Sequence, residues 1–205
     1  MKGARQFVLI QTATLMLSAL PFLAPPQAKA GESVTLTQVV EKTMECYFNR
    51  LPGDRSAAEE LARELPVPPQ FRSPAGVFVT LSKCGRARAC WGSVFPEHSN
   101  VVRSTVYATV GALTREYRYP PVTAGEWRTL RPQVTVVRSV EPVQRLSSQN
   151  PLRDGLMVRA GGKSGVILPG EARDAHYQLV QCRLKAGIKP GEPYQTYRIK
   201  ADVFR

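Results

Sequence analysis

The chain has 205 residues, of which 43% are hydrophobic and 21% are charged, so it can bury a core and is not a mainly disordered protein. Its formal net charge is +12. This excess of positive charge favours binding to anionic partners. The basic residues are scattered along the chain, however, so a solvated basic surface is the simpler explanation of the charge. We therefore predict no specific nucleic-acid binding. With only 2 histidines and 4 cysteines, we also predict no metal site and no cofactor.

The first thirty residues have the pattern of a secretory signal peptide. A short basic segment, Met1 to Arg5, precedes an uncharged apolar stretch, and Ala28-Lys29-Ala30 matches a cleavage site. We predict cleavage after Ala30, and a bacterial protein that is exported to the periplasm or secreted. The alternative is an uncleaved membrane anchor, although the apolar stretch is at the short limit for a span. After cleavage no transmembrane span is expected.

Residues 31–74 are predicted to form two helices and a proline-rich connector that belong to the same domain as the rest of the chain. Apolar residues at three- and four-residue steps favour a helix over Val34–Asn49, with Thr35 and Gln38 as a capping box. Ser56 and Glu59 suggest a second capping box, which opens a helix to Leu65. The prolines that follow disfavour further helix.

Residues 75–205 alternate between hairpin-like and helical patterns. A hairpin is predicted over Gly76–Ser93, followed by a helix that Ser99 or Asn100 can cap and whose core stripe ends at Tyr117. A strand over Gln133–Val140 precedes a second hairpin, in which strands Gly155–Ala160 and Gly165–Leu168 are joined through Gly161 to Ser164. Asp174 can cap a helix to Ala186, with Gly187 at its C-terminal end, and the last strand is predicted over Tyr197–Val203. Adjacent hairpins imply antiparallel pairing. The pattern predicts an α+β fold, with a mostly antiparallel or mixed sheet covered by helices on one face.

Several blocks in this region resemble the AMMECR domain family. They begin with the strand Gly76 to Leu81 and the motif Arg88-x-Cys90-x-Gly92-Ser93. The blocks that follow in order are Tyr117 to Thr123, Val134 to Val137, Asp154 to Leu156, Gly161 to Pro169, Cys182 to Gly187, and Tyr197 with Asp202-Val203-Phe204. The resemblance implies an α+β fold with a small subdomain and an activity that is not settled. It also implies links to a Memo-type protein and a radical SAM protein as partners.

The signature hexapeptide of that family is Leu-Arg-Gly-Cys-Ile-Gly, and it has been taken as the functional site. Here the hexapeptide reads Ala87-Arg88-Ala89-Cys90-Trp91-Gly92, so three of its six residues differ. If the first glycine of the signature allows a ligand to approach closely, Ala89 narrows that approach. The altered hexapeptide and the export signal leave open whether the activity of the family is kept.

Strand geometry gives the hexapeptide a specific chemistry. With Cys84-Gly85 as the turn, Thr80 is predicted to face Ala89 and alternation places Arg86, Arg88, Cys90 and Gly92 on one face. The side chain of Arg88 would then lie about 7 Å from Cys90 and favour its thiolate. On this basis Cys90 is a candidate catalytic nucleophile and Arg88, Gly92 and Arg86 are candidate ligand-binding residues. The alternative is that Cys90 is a buried small hydrophobic residue beside a surface arginine.

Two function classes follow from these residues. One is an enzyme or enzyme subunit that uses Cys90 and Arg88 on an anionic small molecule. The other is a non-catalytic binding module that acts through its basic face or a protein partner.

Overall fold

A computed structural model of the chain describes residues 34–49 and 55–205, with the side chains of residues 55 and 56 left out. The predicted signal peptide and the Ser56 cap therefore lie outside the residues and side chains described. Four helices are described: α1 Leu36–Asn49, α2 Arg55–Glu64, α3 Val101–Thr114 and α4 Ala175–Ala186. Six strands are described: β1 Val77–Lys83, β2 Arg86–Ser93, β3 Arg131–Pro142, β4 Asp154–Ala160, β5 Lys163–Ile167 and β6 Gln195–Phe204.

The six strands form one sheet in the order β2-β1-β3-β6-β4-β5, and every neighbouring pair is antiparallel. The α+β class and the antiparallel sheet predicted from the sequence are confirmed. Among the described helices, none is long and apolar enough to cross a membrane.

Local sequence explains how several helices begin and end. In the predicted capping box, the N–H of Thr35 donates to Gln38 Oε1 at 2.8 Å, and the N–H of Gln38 donates to Thr35 Oγ1 at 3.2 Å. Asp174 caps α4 by accepting from the N–H of Tyr177, and Gly187 ends that helix with φ +64°. These contacts satisfy backbone groups that a helix terminus leaves free.

The helices cover one face of the sheet in two separate cores. In the first core, α3 packs on β1 and β2, α1 packs on β3, and α2 packs on α1 and α3. This core includes Val79, Leu81 and Val134. Helix α4 packs on β4 and β5 in a smaller core around Leu156 and Cys182. Strand β6 lies between them in the sheet, and its Lys200 donates to the buried carboxylate of Asp154 at 2.7 Å.

The sheet curls, so that its opposite face folds over and encloses apolar side chains. Side chains from both ends of the sheet form a third core there, including Phe78 of β1, Met157 of β4 and Ile199 of β6. Cys90 of β2 and Val166 of β5 pack against this core. The two edge strands, which lie furthest apart in the hydrogen-bonding order, therefore approach each other across the inner face.

Two details of the sequence prediction are wrong. Helix α3 ends at Thr114, and Tyr117 is 80% exposed instead of forming the last residue of its buried stripe. The second hairpin turn contains only Gly161 and Gly162, because Lys163 already pairs with Ala160. Asn100 does cap α3, accepting from the N–H of Arg103 at 2.8 Å.

Candidate functional site

The β1–β2 hairpin carries all four predicted site residues. Its turn is Cys84-Gly85, as predicted, and both residues have positive φ (50° and 76°). The pairing contains a register shift between Leu81 and Ser82, since Leu81 pairs with Ala89 and Ser82 pairs with Ala87. Arg88 is the extra residue of this β-bulge.

The bulge changes which side chains share a face. Thr80 pairs with Cys90, and not with Ala89 as the uninterrupted register predicted. Arg86 pairs with Lys83, which lies on the face opposite Cys90, so the predicted common face of the four residues is wrong. A single inserted residue has this effect because side chains alternate with a period of two. Gly92 stays on the Cys90 face, paired with Phe78.

The structure places Arg88 in a clamp that is separate from Cys90. Its guanidinium binds Glu126, with Nη2 at 2.7 Å from Oε1, and donates to the carbonyls of Pro120 and Pro121 at 2.9 and 3.2 Å. Lys83 contacts the same carboxylate at 3.2 Å. Burial opposes ionisation of Glu126, but these hydrogen bonds outweigh it, so the pKa of Glu126 lies below its ordinary value. Arg88 therefore holds the loop before β3 against the hairpin.

Two other signature positions also have structural explanations. Ala89 is 1% exposed and belongs to the helix-side core, so it does not narrow access to Cys90. A Cβ at Gly92 would lie 2.1 Å from the carbonyl oxygen of Val77, which means that the backbone of β1 occupies that space. Glycine is therefore required at position 92 by close strand approach.

Cys90 lies at the inner face between polar groups that the sequence reasoning did not identify. Thr80 Oγ1 donates to its Sγ at 3.3 Å, and the Cys90 N–H donates to Glu116 Oε2 at 3.0 Å. Burial raises the pKa of the Cys90 thiol; the hydrogen bond from Thr80 and the charges of Arg118 and Lys185 oppose this rise. The expected lowering of this pKa by Arg88 is not found.

The carboxylate that holds the Cys90 backbone is itself held by Arg118. Glu116 has a side chain that is 4% exposed, and Arg118 donates to it through Nε and Nη2 at 2.9 and 2.6 Å. Burial opposes ionisation of Glu116, but the hydrogen bonds from Arg118 and Cys90 outweigh it and lower its pKa to about 2. Glu116 therefore remains ionised at all physiological pH values and fixes both neighbours.

A cleft opens beside Cys90 where the curled sheet brings β2 close to β5 and α4. Its volume is about 160 Å³. The residues that give it its chemical character are Phe78, Cys90, Leu168, Arg118, Glu171 and Lys185. A larger hollow of about 610 Å³ shares Arg118, Glu171 and Lys185 with it. We refer to the smaller cavity as the Cys90 cleft.

The cleft presents polar hydrogens that have no acceptor in the described part of the chain. Arg118 uses Nε and Nη2 on Glu116, which leaves Nη1 without a partner among the described residues. Lys185 donates to the carbonyl of Val166 at 3.0 Å, while its contact with Glu171 is a longer 3.7 Å. Both cations line the cleft, and such groups donate charge-assisted hydrogen bonds to anions.

Sequence reasoning missed Glu116, Arg118, Glu171 and Lys185. A signal was available for Arg118 and Lys185, because both lie in blocks quoted for the family resemblance. Within the described residues, no group of three or more histidine, cysteine, aspartate or glutamate side chains is placed to hold a metal ion.

Comparison with known proteins agrees with the fold and with these blocks. The family model described as AMMECR1 matches residues 40–205. A Methanothermobacter thermautotrophicus protein is 33% identical over 193 residues, covering 84% of this chain and 93% of its own. A Thermotoga maritima protein is 31% identical over 163 residues, covering 78% of this chain and 88% of its own. The crystal structure of an uncharacterised Pyrococcus horikoshii protein aligns with a TM-score of 0.67 and 25% identity, covering 82% of this chain and 88% of its own.

Proposed function

The chain belongs to the AMMECR1 family, and we propose that this member is a binding module for a small anionic molecule, which it holds in the Cys90 cleft. The observation that carries the proposal is that Arg118 and Lys185 both line one small cavity, together with apolar residues such as Phe78. Carboxylate and phosphate groups accept charge-assisted hydrogen bonds from such cations.

Binding is favoured over thiol chemistry by the surroundings of Cys90. A nucleophilic cysteine needs its thiolate, and burial raises the pKa of this thiol. Arg88, which was expected to stabilise the thiolate, is occupied by Glu126. In this proposal the neutral Cys90 thiol contributes to the floor of the cleft, and Arg118 and Lys185 provide recognition.

The ion pairs of the cleft limit the ligands that it accepts. Arg118 is balanced by Glu116, and Lys185 lies near Glu171. The cleft therefore has little net charge, and it suits a small mono- or dianion better than a polyanion such as nucleic acid. The small volume of about 160 Å³ points in the same direction.

The amino-terminal sequence pattern supports a location outside the cytoplasm for this module. The basic segment, the apolar stretch and Ala28-Lys29-Ala30 occur in the order of a signal peptide. We propose that the ligand is met in the periplasm or outside the cell.

Isothermal titration with inorganic phosphate and malonate tests the proposal. Lys185→Gln removes one donor of the cleft, whereas Lys163→Gln is a matched control, because Lys163 is paired with Glu192 at 2.8 Å and does not line the cleft. A charged hydrogen bond is worth about 1.5–3 kcal/mol, so we expect at least about tenfold weaker binding for Lys185→Gln. Lys163→Gln should bind as the wild type does.

The same titrations separate the two function classes. Anion binding that survives in Cys90→Ala supports a binding module with a structural thiol. Turnover of an anion that is lost in Cys90→Ala would instead support the enzyme. If neither anion binds, or if both lysine variants weaken binding equally, the cleft is not the site. A protein partner of the Memo or radical SAM type would then be the better explanation.

A further inference from the structure

A second cavity lies on the other face of β2, between α2, α3 and the loop that follows β2. Its volume is about 320 Å³, within the range of small-molecule sites of roughly 300–1,000 Å³. The residues that define its chemistry are Trp91, Glu97, His98, Ser104, Tyr107 and Arg115. None of these six was assigned to a site by the sequence.

Aromatic rings form part of the lining. The Trp91 indole occupies the space beside Gly111, where a Cβ would lie 2.1 Å from Trp91 Cδ1. One turn earlier on α3, the rings of Tyr107 and His98 stack with centroids 4.1 Å apart and an interplanar angle of 17°. A flat apolar group can therefore pack against aromatic surface in the cavity.

One charged group of the lining is available to a ligand. The guanidinium of Arg115 lies 5.8 Å from the Trp91 ring centroid and forms no ion pair with any described residue. Ser104 also lines the cavity, but its hydroxyl oxygen is inaccessible to solvent and has no hydrogen-bond partner among the described residues. An anionic group of a ligand can therefore accept charge-assisted hydrogen bonds from Arg115.

The acidic residues of the cavity decide between ligand classes. Glu59 lies at its edge but pairs with Arg63 at 3.5 Å, so its charge is partly balanced. Glu97 forms no ion pair within the described residues and lies next to His98. The cavity thus offers one available cation, Arg115, and one available carboxylate.

We infer that this cavity binds an aromatic carboxylate, with the ring against Trp91 and Tyr107 and the carboxylate on Arg115. Two kinds of compound carry both an aromatic ring and a carboxylate. One is a simple aromatic acid, and the other is an aromatic amino acid, whose ammonium group would contact Glu97. This site is separate from the Cys90 cleft and does not depend on the function proposed for it.

Fluorine NMR of the full chain with three probes at millimolar concentration tests the inference. The probes are para-fluorobenzoate, para-fluorophenylalanine and para-fluorobenzylamine, which carry the same ring with an anionic, zwitterionic or cationic group. We expect the first two to bind and the third not to bind. Stronger binding of para-fluorophenylalanine than of para-fluorobenzoate would identify the amino acid as the source.

Two arginine variants make the test specific. Arg115→Gln should weaken binding of the anionic probe at least about tenfold, the loss expected for one charged hydrogen bond. Arg103→Gln is the matched control, because Arg103 lies on the same helix over the Tyr107 ring at 5.8 Å but does not line the cavity. Circular dichroism should show that the fold of both variants remains intact.

Several results would overturn the inference. They are preferential binding of the cationic probe, absence of binding by all three probes, and equal weakening by Arg103→Gln and Arg115→Gln. Arg115 does not line the Cys90 cleft, so Arg115→Gln should leave phosphate binding unchanged. Weaker para-fluorobenzoate binding in that variant with unchanged phosphate binding would show that the two sites are independent.

Discussion

Arg88→Ala is the substitution that best separates a structural from a functional role for the signature arginine. In the structure Arg88 makes a charged contact to Glu126 and two hydrogen bonds to proline carbonyls. Hydrogen bonds that involve a charged group contribute about 1.5–3 kcal/mol each. The side chains of Arg88 and Glu126 are 17% and 15% exposed, so solvent screening reduces the gain. We expect the free energy of unfolding to fall by about 2–3 kcal/mol.

A double-mutant cycle isolates the ion pair from the carbonyl contacts. Urea unfolding of Arg88→Ala, Glu126→Gln and the double variant should give a coupling energy of about 1–2 kcal/mol. Lys83→Ala is the matched control, since Lys83 contacts the same carboxylate but its side chain is 45% exposed. Its loss should cost only about 0.5 kcal/mol, as is usual for exposed pairs.

The pH dependence of the clamp follows from the lowered pKa of Glu126. A carboxyl whose folded-state pKa is lowered stabilises the fold above its ordinary pKa of 4.5. That contribution is lost as the pH falls through the lower folded-state value. We therefore expect the difference in stability between wild type and Arg88→Ala to shrink below about pH 4.5.

Two results would refute this reasoning. One is a cost of less than about 0.5 kcal/mol for Arg88→Ala, which is the range of an exposed pair. The other is an unchanged stability combined with slower alkylation of Cys90, since that result would place Arg88 in electrostatic contact with the thiol after all.

Three further predictions concern the thiol, the packing and the amino terminus. Iodoacetamide should label Cys90 more slowly than exposed Cys84 near neutral pH, because burial raises the pKa of the Cys90 thiol above the ordinary 9.0. For the same reason the labelling rate at Cys90 should keep rising above pH 9, and equal rates at the two cysteines would contradict this. Gly165→Ala should lower the free energy of unfolding by about 1–3 kcal/mol, because the added Cβ would lie 2.1 Å from a carbonyl oxygen of α4. Gly162 has open space around it, so Gly162→Ala should lower the free energy of unfolding less, and equal urea midpoints for the two variants would be inconsistent with this packing. Mass spectrometry of the native protein should find Gly31 as the first residue, whereas intact Met1 in the cytoplasmic fraction would exclude export.

Features that depend on neighbouring residues could be predicted from the sequence. The Thr35–Gln38 box, the caps of Asn100 and Asp174, and the end of α4 at Gly187 all form as expected. Each involves groups within four residues of one another, so the local sequence contains all that is needed. The turn at Cys84-Gly85 was predictable for the same reason.

The candidate site depended on contacts that the local sequence does not specify. The bulge at Arg88 follows from how β2 pairs with β1, and a shift of one residue is enough to move Arg86 to the other face. Glu126, 38 residues from Arg88, becomes its partner only when the loop before β3 folds back.

The sequence by itself determined the presence of the four helices, the N-terminal caps of α1, α3 and α4, the first hairpin turn, the antiparallel class and the blocks shared with the AMMECR1 family. Only the tertiary structure decided that Cys90 faces Arg118 and Lys185 and that Arg88 does not contribute to its cleft. The physical reason is the curvature of the sheet. It brings the edge strands β2 and β5, which are far apart in the hydrogen-bonding order, close together across the inner face. Alternation along a single strand contains no information about such a contact.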